Sequence, residues 1–264
     1  MKQESSSEFH CFYDCESNFP STQIYDVLPQ SASELAITLP IGTVCDKCNS
    51  YFGRKLENHF CHNHPGVTFK TFGVKRTGNS KIPKTFLQHG EMTGTDLPNY
   101  QRQISIPLPD LKMERVEGKG LFFKSYLLPK PFQSRIISRV LAKMALETLT
   151  LCIEAPSYFS SDGVREYKKY IRQGQGKYIP FCYSFHEVPF TQRTPHFEIT
   201  YNDFKILGGC ANIYFPKVKY QIPIPPVSPK GYFIRTNEYI GYICDEDRTY
   251  EGTQVPIGLA YLNE

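Results

Sequence analysis

Two regions of the chain carry regular apolar patterning, and they differ in period. From Ser134 onward, Ile137, Val140, Leu141, Met144, Ala145, Thr148 and Leu149 recur at spacings of three and four, which predicts an amphipathic helix with Ser134 as its cap. A second helix is predicted from Asp162 as cap through Val164, Tyr167, Tyr170 and Ile171, ending at Gly174. Beyond Gly176 the period shortens to two. The runs 178–185, 196–201, 210–215, 218–224 and 231–235 are rich in aromatic and β-branched residues and are separated by turn residues, so they read as strands. Between Pro65 and Pro109, short apolar alternation broken by Gly78-Asn79-Ser80 and Thr93-Gly94-Thr95 predicts strands and loops. The fold class expected is α+β: a small N-terminal module over residues 1–64, then a larger mixed α+β domain with an antiparallel sheet over 65–264, whose role the sequence leaves open.

Composition sharpens this picture at a few points. No stretch approaches the roughly 18 apolar residues that span a bilayer, and the polar start Met1–Glu8 lacks the apolar segment of a secretory signal, so a soluble cytoplasmic protein without a membrane partner is expected. A net charge of +4 is too ordinary to argue for nucleic acid on its own. Of nine cysteines, Cys61, Cys152, Cys182, Cys210 and Cys244 are scattered singly. The other four are paired, which fits a reducing compartment and a metal site better than disulfides.

Those four are Cys11, Cys15, Cys45 and Cys48. Two close thiolate pairs about thirty residues apart suit a tetrahedral structural zinc, each pair clamping two corners. Cys11 and Cys15 are placed at the turn of a hairpin, and Cys45-Asp46-Lys47-Cys48 where a turn meets a helix. There backbone amides and the helix N-terminus can stabilise negative sulfur. Four sulfurs close the coordination sphere, so such an ion staples structure and cannot activate water.

With these residues in place, Cys11-x3-Cys15, Val27-Leu28-Pro29, Val44-Cys45-Asp46-Lys47-Cys48-Asn49-Ser50, Phe52-Gly53 and Leu56-Glu57 together resemble the HNH endonuclease superfamily, in its branch with four zinc-binding cysteines. The resemblance covers about fifty residues. It implies a ββα-metal, treble-clef-like module and a catalytic divalent ion (Mg2+, Mn2+ or Ni2+) beside the structural Zn2+. It also implies phosphodiester hydrolysis on nucleic acid, DNA foremost, in a setting such as microbial defence. Carried over by position, Asn49 orients the catalytic loop and Glu57 is a metal ligand, with Asn58 as its alternative. The family's Glu-His pair falls on Tyr25-Asp26, so the imidazole base is replaced by Asp26, a far weaker base. Three readings therefore remain open: an HNH-type nuclease using Asp26, Asn49 and Glu57, a degenerate module that binds nucleic acid or a protein partner without cutting, or a small zinc ribbon that only supports the larger domain. Each residue also has a plainer role available, Asn49 as a helix cap and Glu57 and Asp26 as solvated carboxylates. His59, Cys61, His62 and His64 form a further cluster that could replace the missing base or bind a second ion. Phe181, Tyr183, Phe185, Tyr214, Phe215 and Tyr220 read as core before base-stacking groups. Lys124, Lys130, Arg135, Arg139 and Lys143 read as a solvated basic face.

Overall fold

The computed structural model describes residues 9–15, 20–29, 37–64, 82, 84–86, 89–96, 98, 102–105, 111–115, 123–127, 133–185, 196–201, 209–215, 218–225 and 242–244. Within them the chain is α+β, and its sheets are antiparallel. A two-residue ribbon, β1 (Tyr25–Asp26) with β2 (Thr38–Leu39), precedes a continuous helical stretch. That stretch is α1 (Asp46–Tyr51), a π-helical segment (Phe52–Glu57) and α2 (Asn58–Asn63). The region expected to hold strands and loops contains β3 (Thr85–Phe86), β4 (Glu91–Asp96) and β5 (Arg102–Ser105), paired in order. It is followed by a hairpin of β6 (Leu111–Arg115) and β7 (Phe123–Leu127).

Helix α3 (Ser134–Cys152) is the centre of the molecule. Ile137, Ser138 and every residue from Val140 to Leu149 are buried, so the helix is enclosed on all sides rather than presenting one wet face. Ser134 is the first helical residue and Gln133 the N-cap, which corrects the expected cap by one position. Short α4 (Pro156–Phe159) leads into α5 (Asp162–Gln173), where the cap is likewise one residue earlier than expected. Ser161 accepts from the Val164 amide, and Asp162 instead lies in the first turn, where its charge suits the helix dipole. Gly174 ends α5 as expected, at φ +70°, a left-handed conformation that glycine adopts without a Cβ clash and that would strain a residue bearing one.

The main sheet runs β12-β8-β11-β10-β9, from β8 (Phe181–Phe185), β9 (His196–Tyr201), β10 (Gly209–Phe215), β11 (Val218–Ile224) and β12 (Tyr242–Cys244). The expected strand at 231–235 lies outside the described residues. Phe181, Tyr183, Ala211, Ile213, Phe215, Val218, Tyr220, Ile222 and Ile224 are buried, and α3 packs on β10 and β11. These aromatics are therefore core. Tyr214, on the alternate phase of β10, hydrogen-bonds Glu198 instead, and the side chain of Phe185 is outside the description.

One continuous apolar cluster takes in Tyr13, Tyr25, Val27, Leu28, Phe52, Leu56 and Phe60 from the first sixty-four residues, with α3, α5 and the sheet. The cysteine-bearing segment thus shares its core with the rest of the chain. Among the described residues no helix is long and apolar enough to cross a membrane.

Candidate metal centre and its polar surroundings

The four paired cysteines meet. The chain turns at Phe12-Tyr13, with Asp14 at φ +49° and its amide bonded to the Cys11 carbonyl, which brings Cys15 back towards Cys11. The first pair therefore sits on a tight turn, and among the described residues no strand flanks it. The second pair sits on the first turn of α1, where Cys45 is the N-cap and its sulfur accepts from the Cys48 amide at 3.4 Å. The amide of Phe12 bonds the Thr43 carbonyl and the amide of Cys45 faces the Cys11 sulfur at 3.5 Å, so backbone contacts join the two halves.

All four sulfurs lie within 4.8 Å of one another, with Cys11–Cys48 at 3.9 Å and Cys15–Cys45 at 3.3 Å. A tetrahedron with metal–sulfur bonds of about 2.3 Å has edges of about 3.8 Å, which is the spacing these sulfurs approach. Each of the four is a free cysteine. The group could hold a metal ion. Crowding is also felt electrostatically: the sulfur–sulfur contact with Cys48 pulls Cys11 down to about 5, while the same contact, together with burial, pushes Cys48 up. A cation at the centre removes that conflict, because it lets all four carry negative charge.

The other residues singled out in the sequence are placed differently. Asn49 lies on α1 and lines a groove of about 440 Å³ with Gln23, Asp46, Ser50, Gly53 and Arg54. Asp46 is held there by the Ser21 hydroxyl at 2.7 Å. Glu57 ends the π-helical segment, only 16% exposed, and its carboxylate is ion-paired with Lys143 of α3 at 2.8 Å. Asp26 contributes its carbonyl to the same lysine at 3.4 Å, next to that of Val27 at 3.2 Å. Asn58 is exposed.

Lys143 is thus not on a solvated basic face. It is fully buried, ion-paired also with Glu147 one turn on at 3.0 Å, and its ammonium faces the Tyr25 ring at 4.7 Å. Glu147 is equally buried and accepts from the hydroxyls of Tyr13 and of Tyr25, the latter at 2.9 Å. Burial alone would push Lys143 down, but the charges of Glu147 and Glu57 outweigh it and hold the lysine above its ordinary range. Burial pushes Glu147 up to about 7 even against the pull of Lys143. Tyr13 and Tyr25 are raised by burial and by the Glu147 charge, so both stay neutral donors.

Comparison with known protein-family models, with curated proteins and with solved structures returns no match.

The histidine cluster does not converge. Among the described residues the four cysteines are the one group of three or more metal-ligand side chains close enough to share an ion. His64 is buried, stacked on Phe60 at 4.3 Å and hydrogen-bonded to Tyr220, His62 packs edge-on to Phe86, and His59 bonds Asn63. Two further members of the expected basic face are also engaged, while Lys130 and the side chain of Lys124 lie outside the described residues. Arg139 bonds the α5 carbonyls of Ile171 and Arg172, and Arg135 those of Gly174 and Gly176. Sequence reasoning missed the Lys143–Glu147 pair. Its signal was two opposite charges at i and i+4 inside a stretch otherwise apolar on every face, an arrangement that only a buried, paired site accommodates.

Proposed function

We propose that this chain is a degenerate HNH-type module that binds nucleic acid without cleaving it, built on a structural zinc at Cys11, Cys15, Cys45 and Cys48. Four soft thiolates at tetrahedral spacing favour zinc, and they leave it no open position, so the ion supplies folding energy and no chemistry. The β1–β2 ribbon leading to the Cys45–Cys48 turn and α1 supports the ββα-metal reading of this segment.

The observation that carries the absence of cleavage is the Lys143 ammonium. It bonds the Glu57 carboxylate, which the resemblance makes the ligand of a catalytic ion, and the carbonyl of Asp26, the residue in the base position. A fixed positive charge there neutralises the Glu57 carboxylate and repels a divalent ion. Cleavage would need both that ion and a base near neutral pKa, and an aspartate is a poor substitute for imidazole.

Nucleic-acid binding rests on the groove beside Asn49. Gln23, Asn49, Ser50 and Arg54 supply donors suited to phosphate oxygens, and Lys47, Arg54 and Lys55 are exposed along the same helical stretch. The test pairs a gel shift with a cleavage assay on supercoiled and single-stranded DNA and on RNA, with magnesium, manganese or nickel. Salt-sensitive binding without product is expected, and Arg54→Ala should lower the salt slope by about one. Metal-dependent cutting that Glu57→Ala abolishes would overturn the non-cleaving reading in favour of an active nuclease. No binding to any of these polymers would overturn the nucleic-acid reading and leave a protein partner for the groove.

A further inference from the structure

We infer that Arg172 and Lys168 of α5 are positioning residues of the metal centre, and that Arg172 in particular is an outer partner of the Cys48 thiolate that slows the ion's release. The inference rests on the reading that the four cysteines hold a metal ion.

An arginine in the last turn of a helix ordinarily serves its own helix, bonding the terminal carbonyls. In α5 that task belongs to another residue. Arg139, reaching across from α3, donates to the carbonyls of Ile171 at 2.9 Å and Arg172 at 3.2 Å, and the Gly174 amide closes on Tyr170. The Arg172 side chain is therefore released outward. Its Nε meets the Cys48 sulfur at 3.3 Å, while the guanidinium lies over the Tyr51 ring at 4.5 Å. Tyr51 is itself fixed from the other side, where its hydroxyl accepts from Arg139 at 2.6 Å. Arg172 is thus held with its Nε against sulfur by contacts spanning three helices.

One turn earlier on the same face, Lys168 reaches Asp14 at 3.3 Å and covers the Phe12 ring at 4.5 Å. Asp14 is the left-handed residue of the turn that joins Cys11 to Cys15. The two cations of α5, four residues apart, consequently grip one half of the cysteine site each: Lys168 the loop of the first pair, Arg172 a sulfur of the second. Both are also where charge is needed, since a divalent ion with four thiolates carries a net negative charge of about two. The backbone amides of Cys45 and Cys48, facing the sulfurs of Cys11 and Cys45, spread that charge over dipoles. Arg172 brings a full positive charge to a third sulfur, and outer partners of this kind typically change metal affinity by about 10- to 100-fold.

The experiment uses the full chain, purified with its metal content measured, then challenged with a chromogenic chelator. Arg172→Gln should release the ion roughly tenfold to a hundredfold faster than wild type. Arg165→Gln, an exposed neighbour on α5 that pairs among the described residues with Asp162 on its own helix, should leave the rate unchanged. In cobalt-loaded protein the sulfur-to-cobalt charge-transfer band should move to lower energy in Arg172→Gln, because a sulfur that loses its donor holds its electrons less tightly. Loss of packing alone would not do this. Should Arg172→Gln fail to fold, Arg172→Lys keeps the charge but not the planar fork, and faster release with a shifted band is expected there too. Wild-type release and an unshifted band in either folded variant would overturn the inference while leaving the metal reading intact. Wild-type protein carrying no ion would overturn both.

Discussion

The buried lysine offers the sharpest energetic test. Lys143→Met keeps the stem and its packing and removes the ammonium, leaving the Glu57 and Glu147 carboxylates, which now flank it at 2.8 and 3.0 Å, without a cation. At an effective dielectric near 20, each unit pair at about 3 Å is worth roughly 5 to 6 kcal/mol, set against several kcal/mol lost by each of the three ions on leaving water. Removing one partner of such a buried set costs about 3 to 5 kcal/mol, a large part of the roughly 5 to 15 kcal/mol that holds a domain together. Urea titration should show the midpoint falling accordingly at constant slope. The deficit should also depend on pH. Glu147 already sits at about 7, above its ordinary 4.5, and losing Lys143 raises it further. A carboxyl with a raised folded pKa binds more protons folded than unfolded, so stability falls as pH climbs from the unfolded value through the folded one. The deficit of Lys143→Met against wild type should therefore be smaller near pH 5 than near pH 8. Lys143→Met/Glu147→Gln keeps an acceptor for Tyr13 and Tyr25 without the charge, and should recover roughly half the loss. An unchanged midpoint, a pH-independent deficit or a double variant worse than the single one would refute the reasoning.

Two glycines on the helices should respond oppositely to alanine. At Gly174 a Cβ would stand 3.1 Å from Nη1 of Arg139 at a backbone φ of +70°, so Gly174→Ala should cost about 1 to 2 kcal/mol, read as a lower urea midpoint. At Gly53 a Cβ meets nothing within 4 Å, so Gly53→Ala should stabilise the helical stretch by about 0.5 to 1 kcal/mol, read as a higher melting temperature. Gly53 also lines the groove, so the same variant should weaken nucleic-acid binding, read by gel shift, if phosphate approaches the helix backbone there.

Much of the fold was legible because its signals are local. The strands at 196–201 and 218–224 were bounded correctly from alternation and flanking turn residues, and the end of α5 from one glycine. The cysteine site was legible for the same reason, as each pair fits within one turn and only one separation had to be bridged. The caps of α3 and α5 each lie one residue before the expected one; at α5, Ser161 and Asp162 are both competent caps and only the folded backbone selects between them. What the sequence hid is long-range. Lys143 continues the spacing of Arg135 and Arg139 and so resembles a wet basic stripe, yet its carbonyl partner at Asp26 is 117 residues away, and Glu147 meets Tyr13 across 134. The same distance problem concealed Arg172, whose sulfur partner lies 124 residues earlier.

The claim on which the rest stands is that Cys11, Cys15, Cys45 and Cys48 share one ion, and elemental analysis of chain purified without added metal or affinity tag tests it most directly. One zinc per chain is expected, falling to a small fraction with loss of the cooperative urea transition when Cys45 and Cys48 are both changed to serine. A metal-free chain, or one whose transition survives that double change, would contradict it.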